Sequence, residues 1–218
     1  SGTVSLADGR TVMADSLTLG GRNLNAFVGV GGPYHVDSNG DGLITTADTP
    51  NAGAAGLVLS NAEFAMELLS AKAVAVEAGD SAALKAIKQA TARVDGLSWL
   101  GLELQAGEAG FVGSTSLVAK ASNIKVQANQ VIGLSPQQDA SRYVAEFTGR
   151  SVAVGTNASH TLELDSDLGP LMRATTDLQI SAGGFFYVAG SVALEKSTRE
   201  LVLQDGRSAS HEVLTLGG

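Results

Sequence analysis

The last 19 residues of the chain restate residues 3–21. Laying Glu200–Gly218 on Thr3–Gly21 without a gap gives 9 identities in 19 positions. These are Leu6/Leu203, Asp8/Asp205, Gly9/Gly206, Arg10/Arg207 and the run Leu17-Thr18-Leu19-Gly20-Gly21 against Leu214-Thr215-Leu216-Gly217-Gly218. The offset is 197 residues. Self-similarity at a fixed period constrains architecture more than any single motif, because each unit must bury its faces against its neighbours. Residues 1–218 therefore read as one repeat unit with a period of about 197, in which 3–21 and 200–218 are equivalent segments of successive repeats. Ser1 begins directly in strand-like sequence, which points to a mature product or a slice of a longer chain.

Both copies have the pattern of a β-hairpin. Apolar residues alternate on either side of Asp8-Gly9, and Asp-Gly readily takes the positive φ of a tight turn. The rest of the chain agrees: 27 glycines, 17% charged and 44% hydrophobic residues describe a β-rich chain with many turns. Residues 23–32 read as a strand. Three stretches, 56–69, 101–113 and 177–190, each combine an apolar-x-apolar step, a small or polar turn and a Phe-centred run, and read as degenerate hairpin units. Residues 115–132 and 143–154 alternate and are predicted strands, with 134–138 a loop between them. Residues 73–95 are ambiguous. Leu84, Ile87, Thr91 and Val94 would stripe a helix, but the flanking segments are strand-like and the reading leans to strand.

One stretch carries metal-ligand spacing. Asp37-Ser-Asn-Gly-Asp-Gly-Leu-Ile-Thr-Thr-Ala-Asp48 places side-chain oxygens at loop positions one, three, five, nine and twelve: Asp37, Asn39, Asp41, Thr45 and Asp48. The carbonyl of Leu43 supplies position seven, Gly42 turns the chain at position six, and Ile44 is the apolar residue expected to anchor the loop to a core. Calcium takes six to eight oxygens, so this set suits Ca2+. Position twelve is Asp48 where the common EF-hand loop has Glu, and in this the loop resembles dockerin-type extracellular calcium loops. Gly31-Gly32-Pro33 before it and Pro50-Asn51-Ala52-Gly53 after it leave no room for full flanking helices.

Other chemistries lose support. A net charge of −8 argues against nucleic acid and anionic membrane as partners. No apolar run reaches the length of a membrane span. Cysteine is absent, which removes disulfides, thiolate metal sites and Cys nucleophiles. Catalytic templates fail on required residues: His211-Glu212-Val-Leu-Thr215 lacks the second His of a zinc-protease helix, and Gly29-x-Gly31-Gly32 leads into proline rather than a helix. His35, His160 and His211 show no shared spacing and read as solvated. Glu63, Glu67, Glu103 and Glu108 read as a polar face, and Trp99, Tyr34, Tyr143 and Tyr187 are too scattered for a sugar platform.

The combination resembles repeat units of very large bacterial surface proteins, adhesin-like β repeats carrying an Asp-x-Asn-x-Asp-Gly calcium loop. Gly31-Gly32-Pro33-Tyr34, Asp37–Asp48, Gly56-Leu-Val-Leu-Ser60 and the repeated Leu-Thr-Leu-Gly-Gly carry the resemblance. It implies an extracellular, cell-surface structural protein without catalysis, an adhesin stalk, filament or sheath, that pairs with neighbouring copies of itself and binds a cell surface or polysaccharide. The alternative is an accessory, carbohydrate-binding or enzymatic domain of a secreted polysaccharide-active protein. The expected fold is all-β: an elongated, hairpin-rich β-sandwich or β-solenoid-like repeat with an inserted calcium loop.

Overall fold

The structure, a computed structural model, describes residues 1–218 except Pro136, Leu203, Asp205 and Arg207, with the backbone alone described at 199–202 and 208–210. The repeat matches at Leu203, Asp205 and Arg207 and the predicted loop at Pro136 thus lie outside the described residues. Among the described residues, twelve strands and one α-helix follow in chain order: β1 (Gly2–Ser5), β2 (Thr11–Val30), β3 (His35–Val36), β4 (Thr49–Pro50), β5 (Ala55–Ala71), α1 (Ala82–Ala92), β6 (Ser98–Val112), β7 (Leu117–Ile132), β8 (Arg150–Gly155), β9 (Ala158–Leu162), β10 (Leu171–Ala182), β11 (Phe186–Val202) and β12 (Ser208–Gly217). Strand makes up 58% and helix 8%, so the chain is all-β as its composition predicts.

Eight strands form one antiparallel sheet in the order β1-β2-β5-β6-β7-β10-β11-β12, and it does not close into a barrel. The sheet strands follow one another in sequence order, joined by hairpins or by long excursions, residues 31–54, 72–97 and 133–170, that carry the metal loop, α1 and the β8–β9 hairpin. β2, at 20 residues, spans about 65 Å at roughly 3.3 Å per residue. The sheet is long because these strands continue well past the core.

The core lies at one end of the sheet, on one face. There the β8–β9 hairpin, α1 and the segment 143–147 cover Val4, Leu6, Val12, Ala14, Ala65, Leu69 and Trp99, with Phe147, Val152, Val154, Leu162 and Leu164 supplying the covering side. Trp99 is fully buried and its Nε1–H donates to the Tyr143 carbonyl at 2.6 Å, which removes it as a sugar-stacking surface. The opposite face repeats an apolar alternation, with Phe64, Met66, Leu68, Leu100, Leu102 and Leu104 half-buried and Leu17, Leu19 and Met172 exposed.

A line of irregularities crosses the sheet beyond this core. Asn23, Asn61 and Asn123 hold φ values of 55°, 53° and 52° inside β2, β5 and β7, and the pairing registers shift beside them. Asn is among the few non-glycine residues that tolerate this region. Each irregularity adds a residue, so the alternation changes parity. In β5 the buried positions run Val58, Ser60 and Ala62, then Ala65, Glu67 and Leu69, so the parity changes just after Asn61.

Three sequence expectations are corrected. Residues 82–92 are a helix, not a strand. Ser81 caps it by accepting the Leu84 N–H at 3.2 Å, and the stripe of Lys88, Thr91 and Val94 is buried. The helical stripe was the true signal, since Ala and Lys favour helix by propensity. Residues 143–149 are not strand: Val144, Ala145 and Phe147 are all buried, and a single bridge, Leu6 to Ala145, replaces a ladder. The stretches 56–69 and 101–113 are parts of single strands, whereas 177–190 does form a hairpin through Gly183-Gly184.

Candidate metal loop and a buried carboxylate clamp

The loop Asp37–Asp48 interrupts the connection between β2 and β5. Its stem is the short pair β3–β4, with His35 opposite Pro50 and Val36 opposite Thr49, so both ends of the loop are brought together without flanking helices. Asn51 closes the base. Its Nδ2 donates to the carbonyls of Gly31 and Pro33 at 2.7 and 3.0 Å, and its Oδ1 accepts the Gly53 N–H at 2.9 Å. The sequence reading missed Asn51, for which the Pro-Asn-x-Gly turn was the available signal.

Within the loop each acidic or amide side chain binds nearby backbone. Asp37 accepts the N–H of Gly40 at 2.7 Å and of Gly42 at 3.0 Å. Asn39 Oδ1 accepts Asp41 N–H at 2.9 Å, and Asp41 Oδ1 accepts Leu43 N–H at 2.8 Å. Asp48, 5% exposed, accepts Thr45 N–H at 2.8 Å and Ser38 N–H at 3.1 Å, tying position twelve to position two. The Thr45 bond, with those from Ser38 and Asn39, outweighs burial and holds the Asp48 carboxyl below its ordinary range. Gly40 and Gly42 sit at φ 74° and 79°, the turn that position six was expected to need.

The donor set fits a hard cation in kind: all oxygen, three carboxylates, one amide, one hydroxyl and one carbonyl in the order that calcium loops use. The fit in place is looser. Among the described residues no group of three or more His, Cys, Asp or Glu side chains gathers closely enough to hold a metal. Ile44 does not anchor the loop in a core either; it is 47% exposed, in a shallow cleft with Phe27, Tyr34 and Val58. Thr46 Oγ1 donates to Asn61 Oδ1 at 3.4 Å, connecting the loop to the irregular position of β5.

A second polar cluster lies on the covered face of the sheet. Arg150 on β8 grips Glu67 on β5 with two bonds, Nε to Oε2 at 2.6 Å and an Nη2 contact to Oε1 at 2.5 Å, and Ser16 Oγ donates to the same carboxylate at 2.7 Å. Burial alone would raise the Glu67 carboxyl, but the Arg150 and Ser16 bonds prevail and hold it below its ordinary range. His160 on β9 lies between two carboxylates, Nδ1 at 2.8 Å from Glu63 and Nε2 at 2.7 Å from Glu103. Burial opposes the charged ring, yet the bonds to Glu103 and Glu63 outweigh it and raise the His160 pKa. A ring with a carboxylate at each nitrogen is best satisfied as an imidazolium donating twice. Glu103 also accepts Gln127 Nε2 at 2.8 Å and Glu163 N–H at 3.3 Å.

These contacts correct the expectation of solvated histidines and a solvated glutamate face. His35, Glu67 and Glu103 are buried and His160 is nearly so; only His211 is exposed as predicted. Glu108 remains at the surface in a pair with Lys120 at 2.6 Å. The partners in the clamp are separated by 57 to 97 residues, so no local spacing announced them. Their geometry is that of a fastener for the β8–β9 hairpin.

Comparison with protein-family models, curated proteins and solved structures finds no match. No helix among the described residues is long and apolar enough to cross a membrane.

Proposed function

We propose that this chain is a calcium-binding structural repeat of an extracellular surface protein, a segment of an adhesin stalk, filament or sheath, with no catalysis of its own. The observation that carries the reading is the loop at Asp37–Asp48: six oxygen donors in calcium-loop order, closed at both ends by the β3–β4 stem. Asp37, Asn39, Asp41, Thr45 and Asp48 would supply side-chain oxygens and Leu43 its carbonyl, and the ion would offset the mutual repulsion of three carboxylates on a short loop. Carboxylates retain lone pairs beyond the one each backbone N–H uses, so the existing hydrogen bonds and an ion are compatible. Long antiparallel strands, with hairpins of one register at the two edges of the sheet, support a role in extension.

Thermal unfolding in calcium, magnesium and chelator tests this, beside an Asp37→Ala/Asp41→Ala variant. An ion that binds only the native loop adds about 2.7 kcal/mol at roughly 100 times its Kd. In a chain of this size that is a rise of about 5–10 °C. We expect that rise with calcium alone and its loss in the variant; equal midpoints in calcium and chelator would reduce the loop to an acidic turn.

A further inference from the structure

The two copies of the hairpin share more than residues. In the first, Gly2 pairs with Ala14, Thr3 with Met13, Val4 with Val12 and Ser5 with Thr11. In the second, Arg199 pairs with His211, Glu200 with Ser210, Leu201 with Ala209 and Val202 with Ser208. Adding 197 to every number of the first set gives the second, so the two hairpins have one register. Gly9 and Gly206 even share a φ of 81°. β12 is therefore β2 again, and the two differ in what lies on the far side. β2 is followed in the sheet by β5; among the described residues β12 pairs with β11 alone.

We infer that the free edge of β12 is a joint that receives the β5 strand of a second copy of this period. The β2–β5 register fixes the joint in advance: Leu17 pairs with Leu68, Thr18 with Glu67, Leu19 with Met66 and Gly20 with Ala65. On β12 the same pairs are Leu214 with Leu68, Thr215 with Glu67, Leu216 with Met66 and Gly217 with Ala65 of the incoming copy. The identical residues of the two hairpins are concentrated there, in Leu-Thr-Leu-Gly-Gly, the part of β2 that β5 covers. Sheet edges left free are usually guarded by charged side chains, proline, a bulge or shortness, and the one carboxylate of β12, Glu212, is paired with Lys196 of β11 at 2.9 Å. β12 is ten residues long, regular in its pairing and without lysine or proline, and Leu214 and Leu216 are 69% and 73% exposed. The inference rests on the repeat reading and not on the ion.

Cross-linking tests the register, because the chain has no cysteine of its own. Full-length chains carrying Leu214→Cys or Leu216→Cys are mixed under oxidising conditions with synthetic Ala55–Ala71 peptides carrying Leu68→Cys or Met66→Cys, in calcium and in chelator. The intrachain pair Leu17→Cys/Leu68→Cys calibrates the geometry. Direct cross-strand partners lie within disulfide reach and a two-residue offset does not, so we expect matched pairs to link at least about ten-fold faster than mismatched ones. Equal rates for matched and mismatched pairs, or chains linking to one another through Leu214→Cys faster than to the peptide, would overturn the inference. A register preference that persists in chelator stands even where the calcium reading fails.

Discussion

The β1–β2 hairpin and the β11–β12 hairpin agree pair for pair in register, yet they meet different neighbours. The first sends Val4, Leu6, Val12 and Ala14 into the core, and its tip is stitched to the segment 143–147 by Ala7 N–H to the Val144 carbonyl and Glu146 N–H to the Ser5 carbonyl. The second ends the sheet. Leu17 and Leu19 are 61% and 54% exposed with β5 beside them, while their counterparts Leu214 and Leu216 are 69% and 73% exposed without it. One hairpin sequence thus serves both as a wall of a core and as an edge. The identities fall at the turn, Leu6, Asp8, Gly9 and Arg10, and in Leu17–Gly21, the part that β5 covers, while the residues between them differ.

Breaking the first hairpin should have the largest effect. Leu6→Ala empties a buried site and is expected to cost about 2–5 kcal/mol by chemical denaturation, whereas Leu214→Ala should stay within about 0.5 kcal/mol. Equal losses at the two positions would mean that the ends are energetically alike. A smaller effect comes from making the first hairpin resemble the second. Ser16 donates to Glu67, and its counterpart is Val213, so Ser16→Val removes one bond to a buried carboxylate. A loss of about 1–2 kcal/mol is expected.

The clamp over the first hairpin makes a prediction in pH. His160 is raised above its ordinary value, so the folded state holds its proton more tightly than the unfolded chain does. Its stabilisation is complete below the unfolded histidine pKa of about 6.5 and is lost as pH rises through the higher folded value. Glu63 and Glu103 face the ring, with Lys125 and Glu163 lining the same cleft. Wild-type melting temperature should therefore fall as pH rises from about 6.5 through the raised folded value. A His160→Gln variant should show a flatter profile over that window; an unchanged slope would assign the pH dependence elsewhere.

The strands were legible in the sequence because alternation and Asp-Gly turns are local signals, and the likeness of the two hairpins because Leu-Thr-Leu-Gly-Gly recurs intact. The helix was misread because the strand-like flanks were weighed above the stripe of Leu84, Ile87, Thr91 and Val94. The contacts that seat it are distant or non-periodic: Lys88 pairs with Asp80 at 2.8 Å, and the Thr91 hydroxyl accepts Met13 N–H and donates to the Ile87 carbonyl. The clamp was invisible for a related reason: Glu67, Arg150, Glu103 and His160 acquire meaning only when distant strands are laid side by side. The asparagines at 23, 61 and 123 were present inside strands, and their tolerance of positive φ was the unread sign of the irregular line across the sheet.

Hydrogen exchange read peptide by peptide on the full chain, in calcium and in chelator, tests the central claim most directly. The account predicts that amides of the loop between Asp37 and Asp48 slow in calcium, while those of β12 beyond its β11 contacts exchange rapidly in both conditions. Loop amides that exchange at one rate with and without calcium would contradict a calcium-stiffened repeat.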